Sequence, residues 1–365
     1  MLKHYVKVAL RLIKRSFLFS SINMLGFVLG MTAAFLIYLW IVDELTFEDF
    51  NKNGDSIYRV IREDATVGGQ VPSTVVALSE TFRKEYPKVE NATFIKYGGK
   101  YDIYAGNVGF EVNYGYVDTT FFDVFSFPVV AGDPSLIKKD PQMIVLSEAL
   151  AEKLFGKTSA IGKEVACRFF KKYYKVAAVL KVPRKSHIQF DVLAGWDAYK
   201  WDGLDSEAWT FSERMHVFIQ LQKGTTLTDA DRLAMRDLWM KHSQRGKPLA
   251  FQPLKDIHLR TNFKELGDVN NHGSMQQIYL FTILAALIIF MGAFNFMTLS
   301  TARASQRFKE VGVRKVTGAK RKTLIVQFLA ESLVQAFISL LLALALTELL
   351  LPLFNLFVGK DIALQ

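Results

Sequence analysis

Three stretches of this chain break the mixture of apolar and polar positions seen along the rest of it. From Ser16 to Val42, 27 consecutive positions carry no charged residue, and the same holds over 30 positions from Gly273 to Ala302. A third stretch runs from Thr323 to Gly359 and is interrupted only by Glu331 and Glu348. At about 1.5 Å of rise per residue each exceeds a hydrocarbon core of about 30 Å, so each is long enough to cross a bilayer as a helix. The first is about twice as long as the apolar region of a signal peptide, and no small-x-small site precedes Asp43 and Glu44, so it reads as an uncleaved anchor. The pattern predicts transmembrane helices over 16–42, 278–302 and 323–354, followed by a tail over 355–365.

Between the first two spans, residues 43–277 show both short periods. "SIYRVIRE" (56–63), "YYKVAAVL" (173–180) and "HVFIQL" (216–221) are rich in β-branched and aromatic residues and read as strands. In "PSTVVALSETFRKEYP" Val75, Leu78, Phe82 and Tyr86 share a helical face and Pro87 stops the run. Ser147 caps a second helix whose stripe is Leu150, Ala151 and Leu154 and whose stop is Gly156. A third helix is expected over 228–242 with Leu233, Trp239 and Met240 among its apolar positions. Strands and helices do not alternate regularly, so the expected class is α+β. Ahead of the first span, Lys3, Lys7, Arg11 and Lys14 recur at helical spacing opposite Leu2, Val6, Leu10 and Ile13. Residues 1–15 therefore read either as a basic amphipathic helix on the membrane surface or as a topology signal alone.

Charge decides the orientation. The formal net charge is +10. Residues 1–15 hold five bases and no acid, residues 303–322 hold eight bases against one acid, and residues 43–277 hold 31 of each sign. The whole excess flanks the spans, which is the positive-inside pattern. It places the N-terminus and the 303–322 segment in the cytoplasm and residues 43–277 outside. Because the large domain keeps no basic excess, nucleic acid is excluded as a partner. The single cysteine, Cys167, cannot form an intramolecular disulfide, so the outer domain must be held by its core.

Motifs for chemistry are weak. "AEKLFGKTS" (151–159) ends like a phosphate-binding loop, but Ala151 stands where the first glycine is needed, inside a capped helix. The six histidines form no zinc-spaced cluster; the spacing of His187 and Asp191 in "SHIQFD" would let them face one another, but a lone histidine near a strand reads as structural. There is no nucleophile elbow, and Cys167 has no evident base. No catalytic, metal or cofactor site is expected. Glu331, two turns into the third span, is an intramembrane polar residue that either meets a partner helix or snorkels, and Glu348 falls near the outer interface.

The segment 303–322, "RASQRFKEVGVRKVTGAKRK", carries more than orientation demands. Glu310 and Arg314 stand four apart with the acid first, Phe308, Val311 and Lys315 recur at three and four, and Gly318 provides a stop. A short, basic helix held against the membrane at both ends is suited to dock into a groove on a cytosolic partner.

At these residues the chain resembles the MacB/FtsX-type ABC permeases, especially the large ones of Bacteroidetes. The resemblance rests on "ELTFEDFNKNGDSIYRV" (44–60), "VDTTFFDVFSFPVVAGDP" (117–134), "IVLSEALAEKLFGKTSAIGK" (144–163), "SHIQFDVL" (186–193) and "NFMTLSTARASQRFKEVGVRKVTGAKRKTLIVQFLAESL" (295–333). It implies a MacB-like periplasmic core domain over 43–277 and an FtsX-like domain over 278–365 in the bacterial inner membrane. It also implies a separate cytosolic ABC ATPase, whose movement the spans would transmit to the outer domain. That contact would fall on Phe308, Lys309, Glu310, Val311, Gly312, Val313, Arg314, Lys315, Gly318 and Ala319. The resemblance further implies a second permease half or a homodimer, and a periplasmic adaptor or substrate. The expected work is export or extraction of an amphiphile such as a peptide, antibiotic or lipoprotein. The alternatives are a non-transporting regulator of a cell-wall hydrolase, like FtsX itself, or a membrane-anchored sensor. Family members carry a fourth span, and the long type repeats the arrangement, so a chain stopping at Gln365 is expected to be an N-terminal half.

Overall fold

The structure, a computed structural model, describes residues 17–64, 69–204, 215–242, 248–261, 263, 272–306, 312–313, 316–317 and 321–363. The surface helix expected over 1–15 lies outside the described residues. Two compact units are present, one of them Thr46–Ser274 and the other the long apolar helices. The first helix, α1 (Phe17–Leu45), runs through Asp43 and Glu44, residues expected to belong to the outer domain.

The domain Thr46–Ser274 is α+β, as expected. Its elements are β1 (Ile57–Asp64), β2 (Gly69–Val71), α2 (Ala77–Glu85), β3 (Val89–Ala105), β4 (Val108–Val117), α3 (Phe121–Val124), β5 (Val129–Gly132) and β6 (Met143–Ser147). There follow α4 (Glu148–Phe155), β7 (Glu164–Cys167), β8 (Lys172–Leu180), β9 (Val192–Gly195), α5 (Trp196–Trp201), β10 (Met215–Leu221), α6 (Asp229–His242), β11 (Leu249–Pro253) and α7 (Asp256–Leu259). The strands pair in the order β11-β1-β10-β3-β4-β9-β6-β8-β5, with β2 added to β1. Only β4 with β9 and β6 with β8 run parallel among the described pairs. The short β7 pairs with both β3 and β8, and so closes β3, β4, β9, β6, β8 and β7 into a ring.

Each expected strand forms where its apolar run lies. Every residue of β10 is buried because both of its faces are covered: Phe218 joins the core built on Phe121, Phe125 and Phe190, and Val217 and Ile219 join the core under α2 and α6. A continuous apolar run is what a two-sided strand requires. A third core draws on all six ring strands and on α4 and α5. Helix α4 is delimited as its residues dictate. Ser147 Oγ accepts from Leu150 N at 3.2 Å, and Gly156 takes the positive φ of +62° that ends the helix.

One helix start needs correction, and one helix buries a face its apolar residues do not mark. Helix α2 starts at Ala77 and not near Pro72, because Thr74 N is bonded to Met215 O at 3.0 Å and holds the preceding residues against β10. In α6 the buried positions are Asp231, Met235 and Trp239, whereas Leu233 and Met240 are exposed. The ion pair of Asp231 with Lys88 Nζ, at 2.7 Å, turns Asp231 inward and sets this face.

The remaining elements are α8 (Met275–Gln306) and α9 (Arg321–Val358), which with α1 are long and apolar enough to cross a membrane. Helix α9 continues four residues beyond the expected limit at 354, and α8 begins three before 278.

Candidate functional site

The apolar unit is built around α1. Asn23 Nδ2 donates to Ser300 Oγ at 3.2 Å, the rings of Phe27 and Phe296 are 5.3 Å apart, and Trp40 meets Phe281 edge-on at 5.0 Å. Residue numbers rise along α1 as they fall along α8, so the two helices are antiparallel. Gly26 and Gly30 make this seam close. A Cβ on Gly26 would lie 2.9 Å from Asn295 Nδ2, and one on Gly30 would lie 3.6 Å from Ile288 O and 3.9 Å from Gly292 Cα. Small residues four apart let apolar helices approach where lipid offers no hydrophobic drive.

Helix α9 packs on α1 in the parallel sense. Thr32 Oγ1 lies 3.3 Å from Ala343 O, and beyond the end of α9 Lys360 Nζ contacts Asp43 at 2.7 Å and Glu44 at 2.5 Å, with the Trp40 ring 5.6 Å away. The buried positions of α9 are Gln335, Ser339, Ala343, Thr347 and Leu351, one every four residues. That spacing puts a stripe of mostly small side chains on one face. In contrast, α8 leaves Leu280, Ile283, Leu287, Phe290, Met291 and Phe294 exposed. A helix apolar all round suits lipid or further helices.

The expected ATPase-contact residues fall between α8 and α9 in the sequence. Gly312 and Val313 are helical, Thr317 N donates to Val313 O at 3.0 Å, and Val313 and Val316 are exposed, the latter by 90%. Phe308, Lys309, Glu310, Val311, Arg314, Lys315, Gly318 and Ala319 lie outside the described residues. Glu331 accepts from Gln327 Nε2 at 3.0 Å, one turn back along its own helix.

In the domain Thr46–Ser274 His187 and Asp191 do not pair, and His187 is a buried structural residue. Asp191 accepts from Asn113 N at 2.7 Å, while His187 Nδ1 lies 2.8 Å from Glu48 Oε1 and its backbone N–H donates to the same oxygen. The reason is topological: Asp191 leads into β9 beside β4, and His187 turns inward between Phe125 and Phe218. Sequence reasoning missed Glu48, an acid within "TFEDFN" that nothing marks as buried. It also missed Lys360, whose only signal was a lone base beyond an apolar run. Ala151 and Gly156 behave as helix interior and helix stop, not as a phosphate loop. Among the described residues no group of three His, Cys, Asp or Glu is placed to hold a metal.

The profile of the MacB-like periplasmic core domain matches residues 20–234, and that of the FtsX-like permease C-terminal region matches residues 282–364. A macrolide export ATP-binding/permease protein MacB of Neisseria meningitidis serogroup A is 25% identical over 254 residues, covering 66% of this chain and 36% of the relative. The MacB of Bdellovibrio bacteriovorus is 33% identical over 85 residues, 23% of this chain and 13% of the relative. The chain thus spans about a third of the length of the first of these relatives. The crystal structure of the periplasmic region of MacB from Actinobacillus actinomycetemcomitans aligns at 13% identity with a TM-score of 0.44, over 56% of this chain and 91% of that one. With both profiles in chain order, the core-domain profile beginning within α1 and the permease profile lying on the last two apolar helices, this chain belongs to the MacB/FtsX-type ABC permeases.

Proposed function

We propose that the chain is a permease subunit that couples ATP hydrolysis on a separate cytosolic ATPase to movement of its large domain, and so exports or extracts an amphiphile. In this reading the protein lies in the bacterial inner membrane with residues 1–15 and 303–322 inside and Thr46–Ser274 in the periplasm. A second permease half or a second copy completes the transporter. The observation that supports it best is the segment 303–322, with eight bases against one acid, placed between the two helices of the FtsX-like region. A positively charged connection is retained on the cytoplasmic side. The helix senses agree: with α1 parallel to α9 and antiparallel to α8, movement imposed on the α8–α9 connection reaches α1 through two packed seams.

The ATPase contact is assigned to Phe308, Lys309, Glu310, Val311, Gly312, Val313, Arg314, Lys315, Gly318 and Ala319. Glu310→Lys or Arg314→Glu would reverse one charge of a helical i,i+4 pair and of the docking face. Each is expected to cut recovery of the ATPase in pull-down by at least about tenfold, the loss of one charge-assisted contact, with membrane insertion unchanged. Full recovery with both variants would contradict the coupling role.

A further inference from the structure

The chain leaves α1 at Leu45 and enters the sheet at Ile57, and the turn between them is gripped from three directions. Lys185 Nζ donates to Thr46 Oγ1 at 2.9 Å, and Glu48 N donates to Lys185 O at 2.8 Å. The Phe47 ring lies flat on that of His258, 3.6 Å between centroids. Asn51 Oδ1 accepts from Ser126 N at 3.0 Å, and Lys52 N donates to Ser126 Oγ at 3.2 Å. The loop before β9, the residues after α3, and α7 therefore all hold the same few residues.

At the centre is Glu48. Its carboxylate accepts from His187 N, from His187 Nδ1 and from Asn51 Nδ2 at 2.8 Å, and both Glu48 and His187 are only 1% exposed. Glu48 also adopts φ +65°, a left-handed conformation unfavourable for a glutamate. Such strain persists where the surroundings over-determine the residue, and it marks a place where geometry is held at a cost. Ordinary turn chemistry would put glycine or asparagine here; keeping glutamate makes sense if its carboxylate is needed as a fastener.

We propose that the buried Glu48–His187 couple is a mechanical lock that fixes the segment following the first span to the sheet, so that displacement of that span is delivered to the domain and not absorbed by a slack turn. The delivery of movement rests on the coupling reading above; the lock itself does not. Glu48 and His187 are positioning residues in this scheme, and neither touches a ligand.

The test uses the full chain in lipid nanodiscs and the variant Glu48→Gly, which deletes the fastener and relieves the positive φ together, so the domain stays folded. Amide exchange of residues 46–52 is expected to rise by about tenfold, the scale of one lost charged hydrogen bond, while amides of β1 and β9 keep their protection. Glu48→Gln, which keeps one acceptor oxygen, should fall between. Unchanged exchange at 46–52 in Glu48→Gly, or equal loss of protection throughout the sheet, overturns the lock. With its ATPase, the Glu48→Gly protein should retain nucleotide hydrolysis and lose ATP-driven output. Retained output overturns the delivery of movement. A wild-type protein without any ATP-driven output would sink the coupling reading instead, and the exchange result would still decide the lock.

Discussion

Asp231 shows how much one buried carboxylate can organise. Lys88 Nζ approaches it at 2.7 Å, Tyr86 donates its hydroxyl at 2.5 Å, and Thr228 donates both N–H and hydroxyl in a reciprocal cap at the start of α6. The Lys88 ammonium, then the Tyr86 and Thr228 donors, hold its carboxyl below the usual range, while burial and the carboxylate push the Tyr86 hydroxyl up to about 12. A carboxyl depressed in the folded state adds stability that is present above its unfolded value of about 3.9 and lost as pH falls below it. Asp231→Asn should therefore lower unfolding stability at pH 7 by about 1–3 kcal/mol, measured by denaturant titration following the buried Trp239. The gap between variant and wild type should narrow below pH ~4. A constant gap down to pH 3 would mean that packing, not charge, is lost. None of this could be read from the sequence, since Tyr86 and Asp231 are 145 positions apart and only the sheet brings them together.

At the scale of elements, legibility depended on how local the cause is. The three long helices follow from long apolar runs, the third broken only by Glu331 and Glu348, as a bilayer favours in a spanning segment. Helix α4 follows from Ser147 and Gly156. In that helix Ser147→Ala should cost about 1 kcal/mol through the lost cap, visible as faster amide exchange of Leu150 with little change in the ring strands. Sheet order was not legible: the parallel pairing of β4 with β9 joins Tyr114 to Val192, and the four residues of β7 carry no periodic signal although they close the ring. Nor did the hydropathy pattern reveal the seam between α1 and α8, because both helices are apolar on every face and its polar positions, Asn23, Asn295 and Ser300, lie within uncharged runs. Gly26→Leu would drive a side chain into Asn295 and is expected to destabilise the bundle by about 1–3 kcal/mol, measured as a lower thermal midpoint in nanodiscs. An unchanged midpoint would show that this seam is not held by close approach.

For the whole molecule, family membership was legible and the site only in part. The charge balance of the domain, 31 acids with 31 bases, against two basic flanking segments by itself implies an orientation. The ATPase-contact residues came from resemblance, and the lock at Glu48 came from the structure alone, because its partner His187 lies 139 positions away. The central claim is that the basic connection faces the cytoplasm and the large domain faces the periplasm, so that force crosses the membrane through α1, α8 and α9. Cys167 is buried, which leaves the wild-type chain a quiet background for thiol labelling. The most direct measurement introduces Val316→Cys and, separately, Phe169→Cys, at sites 90% and 67% exposed, and applies a membrane-impermeant maleimide to spheroplasts. Phe169→Cys should label on intact spheroplasts and Val316→Cys only after permeabilisation; labelling of Val316→Cys from outside, or protection of Phe169→Cys, would contradict the account.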